Sequence, residues 1–184
     1  MFLGKLATAI AAAFLFLAAP AVAQTSDPEN TLVMQLKDGT VTIQLRPDLA
    51  PNHVARLKEL TRKGFYDGVA FHRVIEGFMA QTGDPTGTGS GGSDLPDLKA
   101  EFTNTHFARG IIGMARTNDP DSANSQFFIM YADAPSLDGA YTVLGQVVSG
   151  MEFVDNIKKG PPSDNGMVDG PDKIISMKVA ADAQ

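Results

Sequence analysis

The chain has no cysteine and no tryptophan, and only three histidines among 184 residues. Without cysteine it can form neither a disulfide nor a thiolate metal site, and it offers no N-terminal cysteine for lipidation, so stability must come from a buried core. His53, His72 and His106 are too far apart to make a local metal motif. No metal and no cofactor is expected. Basic residues are also in short supply, 15 against 21 acidic ones for a formal net charge of −6. No cationic run or aromatic–basic interleaving offsets that balance, so nucleic acid is not an expected partner. No internal repeat is visible.

Only one long apolar run is present. Lys5 precedes Leu6 to Ala19, and Ala21-Val22-Ala23 supplies the small residues that a signal peptidase reads. Residues 1–23 therefore read as a secretory signal peptide, cleaved between Ala23 and Gln24. The run is shorter than the roughly 20 residues needed to cross a bilayer, so no stable membrane insertion is expected after cleavage. The expected product is exported, with the periplasm as its compartment. Residues 24–31 read as a flexible mature N-terminus, and residues 32–180 as one domain large enough to bury a single core. No second interface is evident, which points to a monomer.

Val41-Thr42-Ile43-Gln44-Leu45 alternates as a half-buried strand, and Asp38-Gly39 is a turn signal after Leu32 to Leu36, predicting an opening β-hairpin. From Pro51 the period changes: Val54, Leu57 and Leu60 share a helical face, and Arg62-Lys63-Gly64 supplies a C-terminal stop. A second helix is predicted after Ser149, with Glu152 completing a capping box, Met151, Val154 and Ile157 buried, and Lys158 to Pro161 ending it. Between and after the helices, strands are expected at 71–74, 78–82, 111–115, 127–130, 141–148 and 173–179. In the last of these Ile175, Met177 and Val179 would share one face. Many short strands with two isolated helices fit a mainly β, closed antiparallel barrel with helical caps better than a doubly wound sheet.

Two familiar enzyme signals fail on context. Gly87 to Gly92 contains G-x-G-x-x-G, but Ser93-Asp94-Leu95-Pro96 cannot open the helix that a dinucleotide site requires. No G-x-S-x-G elbow presents a nucleophile. The informative blocks are Phe71-His72-Arg73-Val74-Ile75-Glu76-Gly77-Phe78-Met79-Ala80-Gln81 and Ser125-Gln126-Phe127-Phe128-Ile129-Met130. From spacing alone, Arg73 could be an ordinary surface cation and the aromatics ordinary core.

Together the two blocks resemble the active site of the cyclophilins, and the resemblance runs from Leu32 to about Val179. It implies a closed eight-stranded antiparallel barrel capped by two α-helices, and peptidyl-prolyl cis-trans isomerase activity. Its partners would be proline-containing polypeptides that are unfolded or still folding. It puts Arg73 and Gln81 in catalytic positions, and Phe78, Met79, Ala115, Arg116, Gln126, Phe128, Leu137 and Tyr141 along the substrate groove. His72 matches a neighbour of the arginine that is given a structural role. Of the paired phenylalanines only one can face the groove, and Phe127 is assigned to the core.

The implied chemistry forms no covalent bond. The barrier of roughly 18–20 kcal/mol is amide resonance, and twisting the C–N bond returns a lone pair to the prolyl nitrogen. A cation aimed at that nitrogen binds the twisted state better than either planar state. The ring needs an apolar socket, worth about 0.8 kcal/mol per buried methylene. Ser136 stands where many family members have tryptophan, Tyr141 where the familiar ones have histidine, and the loop from Arg116 to Asp121 is one residue longer. Loss of the tryptophan predicts weak cyclosporin binding. The competing reading is a peptide-binding chaperone that uses the same groove without turnover.

Overall fold

A computed structural model describes residues 27–182. The expected signal peptide lies outside the described residues. Of the stretch read as a flexible N-terminus, Pro28–Asn30 form a 3-10 turn capped by Asp27. Glu29 ties this turn to Lys58 and Arg62, whose hydrogen bonds hold its carboxyl down at about pH 2.

Eight strands make one sheet: β1 Thr31–Gln35, β2 Thr40–Leu45, β3 Arg73–Ile75, β4 Met79–Thr82, β5 Ile111–Met114, β6 Phe127–Met130, β7 Val143–Ser149 and β8 Ser176–Val179. Their order is β3-β4-β6-β5-β7-β2-β1-β8, and every pairing is antiparallel. The period-2 pattern in β1 and β2 buries Leu32 and Met34 against Val41, Ile43 and Leu45.

The closed barrel expected from the strand pattern and from the resemblance is corrected: the sheet is an open half-barrel that curls through 201°. Its end strands, β3 and β8, do not pair with each other. Isolated bridges, Ala70 to Lys173 and Arg73 to Met167, span the seam instead. The same seam corrects β8. Phe71 N–H donates to Asp172 and Gly68 N–H to Ile174, whereas Ile175 N–H donates to Gln35 in β1. The chain thus changes partners between residues 174 and 175 and its facing slips, so Ile174 is buried and Ile175 is 56% exposed.

Helix α1, Pro51–Arg62, buries Val54, Leu57 and Leu60 as its spacing predicts, and Gly64 follows at φ 69°. Helix α2 is shorter than expected, Met151–Asp155, and lacks the capping box. Ser149 is still in β7, paired with Thr42. Gly150 makes the turn at φ 81°, where a Cβ would lie 2.3 Å from the Thr40 carbonyl oxygen. A strand that turns into a helix this tightly leaves no N-cap position for serine.

The placement of the site follows from β6. Phe127 joins the main core with Leu32, Ile43, Leu57 and Ile112, while Phe128 belongs to a second cluster with Met79, Phe107, Met130 and Val143. Alternation along one strand therefore supplies both the core and the floor of a cavity on the opposite face.

Candidate active site

Strands β3 and β4 form a tight hairpin in which Arg73 pairs with Gln81 and Ile75 with Met79. Register alone puts the Arg73 and Gln81 side chains next to each other. Arg73 Nη1 donates to Gln81 Oε1 at 3.1 Å. A guanidinium only donates, so the Gln81 amide must turn its oxygen to Arg73 and its nitrogen away. That nitrogen donates to Gln126 Oε1 at 2.9 Å, and Gln126 Nε2 donates in turn to the carbonyls of Gly89 and Gly91. One polar relay therefore runs from Arg73 to the glycine-rich loop.

The loop is pinned by Asp84. Its carboxylate accepts hydrogen bonds from the Thr86 N–H and hydroxyl and from the N–H groups of Gly89 and Gly91. Burial alone would raise its pKa, but these donors bring it down to about 2. Gly91 has to be glycine, because a Cβ would sit 2.2 Å from an Asp84 oxygen. The G-x-G-x-x-G pattern thus serves a carboxylate within the chain itself.

The other edge of Arg73 is held by a residue the sequence did not flag. Asn165 accepts Nε on its backbone carbonyl and Nη2 on Oδ1, both at 3.0 Å. It is the one described non-glycine residue at positive φ, 48°. Asparagine before glycine after a proline pair was a readable turn signal, but its 92-residue separation from Arg73 was not. Burial lowers the Arg73 pKa, though a guanidinium stays charged.

A cavity of about 190 Å³ opens beside this arginine, lined by Arg73, Phe78, Met79, Gln81, Ala115, Arg116, Phe128, Leu137 and Tyr141. Gln126 lines the adjoining cavity of about 500 Å³, which shares Gln81, Ala115 and Arg116 with the first and is otherwise walled by the glycine-rich loop, Asp97, Thr117, Ser122 and Asn124. The structure therefore brings all ten sequence-predicted site residues to two adjoining cavities. Ser136 is exposed and lines neither. Tyr141 precedes β7 rather than opening it, and its ring stacks edge-on against Phe107 and Phe128.

His72 is buried, and among the described residues neither ring nitrogen has a hydrogen-bond partner. Burial pushes its pKa down, against the pull of Asp84. It packs 3.5 Å from the position a Gly89 Cβ would take, under the glycine-rich loop rather than in either cavity. Among the described residues no cluster of acids and histidines could hold a metal ion. The small cavity can thus hold a compact apolar ring with a fixed guanidinium at its rim.

The family model of cyclophilin type peptidyl-prolyl cis-trans isomerases matches residues 31–179. A probable peptidyl-prolyl cis-trans isomerase of Brucella suis is 56% identical over 187 aligned positions, covering 95% of each chain. Peptidyl-prolyl cis-trans isomerase B of Bacillus subtilis is 42% identical over 139 positions, 73% of this chain and 95% of its own. Among solved structures, the cyclophilin AquaCyp293 of Hirschia baltica has a TM-score of 0.75 at 29% identity, covering 85% of this chain and 76% of its own. A Cryptosporidium parvum cyclophilin-type isomerase, crystallised in the presence of the dipeptide Ala-Pro, has a TM-score of 0.73 at 27% identity, covering 81% and 98%.

Proposed function

The chain belongs to the cyclophilin-type peptidyl-prolyl cis-trans isomerases, and from that premise we propose how its own residues divide the reaction and where it works. The proline ring enters the small cavity between Phe78, Met79, Phe128 and Leu137. Arg73 directs its guanidinium at the prolyl nitrogen, which accepts a hydrogen bond only once twisting has removed amide resonance. Gln81 and Asn165 hold that guanidinium from two sides, so no reorganisation is needed as the substrate twists. Ala115, Arg116, Gln126 and Tyr141 line the path of the substrate on either side of the proline.

The observation that carries this assignment is a fixed guanidinium, with no carboxylate partner among the described residues, beside a cavity of about 190 Å³ that Phe78, Met79, Phe128 and Leu137 help to wall. A groove that only bound peptide would not need it, so the chaperone reading is not favoured. The test is exchange of a Xaa-Pro peptide followed by NMR, with wild type and Arg73→Ala. Loss of exchange with retained peptide binding is expected, and equal exchange in both proteins would remove Arg73 from the mechanism.

The wider role follows from the N-terminal segment of the sequence, which supports export through a cleaved signal and action in the periplasm as a monomer free of the membrane. There the clients are exported chains still folding, for which uncatalysed isomerisation takes on the order of 10–100 s. Mass spectrometry of the N-terminus of the exported protein tests the cleavage at Ala23. An intact residue 1–23 segment on the membrane-bound form would overturn it.

A further inference from the structure

The arginines of this acidic protein are not used alike. Arg46, Arg62 and Arg109 pair with carboxylates. Arg56 is buried on the carbonyls of Pro96 and Asn124. Among the described residues, the half-buried arginines with no carboxylate in ion-pairing distance are Arg73 and Arg116, and both line the small cavity, which has no acid in its wall.

Arg73 has its role in the twisted state, but Arg116 is not explained by it. Arg116 is nonetheless held firmly. Nε and Nη2 donate to the Ala140 carbonyl at 3.3 and 2.9 Å, and Nη1 donates to the Thr117 carbonyl at 2.8 Å. Its guanidinium carbon lies 4.5 Å from the Tyr141 ring centre and 5.7 Å from that of Phe102. Carbonyls and rings fix the position of the fork but do not neutralise it, and N–H donors remain unspent. An oriented, uncompensated cation on the rim shared by two cavities is built to meet an anion from outside the chain.

Resting on the isomerase reading above, we propose that Arg116 is a specificity-determining residue, selecting substrates with an acidic side chain flanking the proline. The carboxylate sits at the rim shared by the two cavities. Within the larger cavity it would instead meet Asp97, which lines that wall. The partner chemistry is therefore an acidic Xaa-Pro segment, which the protein's own negative charge would otherwise disfavour.

The test is a set of peptides with Glu or Gln two residues before, immediately before, or immediately after the proline. For each, kcat/KM for isomerisation is measured with wild type, Arg116→Gln and Arg116→Lys, at low and high salt. At one of these positions wild type should favour Glu over Gln roughly three- to fivefold, the scale of one charged contact at a partly exposed rim. Arg116→Gln should bring that ratio to about one, and Arg116→Lys should keep part of it. Added salt should shrink it. Comparing ratios cancels the intrinsic difference between peptides, as in a double-mutant cycle. A ratio of about one in wild type at every position, or a preference that survives Arg116→Gln, overturns the proposal while isomerisation of the Gln peptides stands. Absence of exchange with every peptide would instead overturn the isomerase reading and this proposal with it.

Discussion

Arg73 and Gln81 face each other across the β3–β4 hairpin with Nη1 and Oε1 3.1 Å apart, and this contact sets the direction of every hydrogen bond beyond it. Because Arg73 can only donate, Gln81 must accept from it and donate to Gln126, and Gln126 must donate to the glycine-rich loop. Arg73 and the glycine-rich loop that walls the larger cavity are therefore parts of one polar unit.

Lysine in place of Arg73 keeps the charge but not the planar fork. It cannot engage Gln81 and Asn165 together while still presenting a donor to the substrate. Arg73→Lys should lose about 10- to 100-fold in kcat/KM, less than the roughly 100- to 1,000-fold cost of removing a transition-state donor outright. Peptide affinity measured by titration should change little. Activity close to wild type would mean that charge alone suffices.

Asn165 holds Arg73 through its side chain while its own backbone stays at φ 48°. Asn165→Gly keeps the backbone conformation and removes only the Oδ1 acceptor. Stability against urea should hardly change, and kcat/KM should fall about three- to tenfold, one hydrogen bond to a charged group loosened at its second anchor. Equal activity in this variant would show that the carbonyl of residue 165 and Gln81 position the arginine unaided.

Asp84 makes the stability pH-dependent in acid. Its folded pKa of about 2 lies below its ordinary 3.8, so its contribution is complete above 3.8 and lost as pH falls toward 2. The shift corresponds to about 2 kcal/mol. Urea unfolding between pH 5 and 2 should show a smaller acid-induced loss for Asp84→Asn than for wild type. An identical slope would place that acid sensitivity elsewhere. The variant should also loosen the loop that Gln126 holds, which hydrogen exchange at Gly89 and Gly91 would read.

Glu101 caps helix α1 from 48 residues away. Its carboxylate accepts the N–H groups of Asn52 and His53 and meets Nδ1 of the buried His53 at 2.7 Å. Burial would raise its pKa, but His53 and Asn52 outweigh that and lower it. Glu101→Ala should cost about 2–4 kcal/mol in urea unfolding, since it uncaps the helix and leaves a buried imidazole without its partner. A loss below about 0.5 kcal/mol would show that water replaces the carboxylate there.

These contacts mark how far the sequence could be read. Helix α1 was legible in its apolar spacing, in Pro51 at its start and in Gly64 beyond its end, because those are local signals. Its cap was not, because Ala50 has no side-chain acceptor and the acceptor comes from Glu101. The expected box of Ser149 and Glu152 failed for a related reason: pairing with β2 kept Ser149 in a strand. Ile175 was misplaced because the chain changes strand partners one residue earlier. Six of the residues that line the cavities stand in the two linear blocks, whereas Ala115, Arg116, Leu137 and Tyr141 lie outside them and came only from the resemblance, and Asn165 from neither.

By itself the sequence determined the alternation of β1 and β2, the amphipathic face of α1, and the assignment of Phe127 and Phe128 to opposite faces. Each depends on chemistry repeated over a few neighbouring residues, which spacing records directly. Tertiary structure alone decided that the sheet stays open at the β3–β8 seam, that Asn165 joins Gln81 in gripping Arg73, and that Arg116 has no carboxylate partner among the described residues. The physical reason is distance along the chain. A hydrogen bond acts over about 3 Å in space, and no local pattern records which residues 92 positions apart will come within that reach.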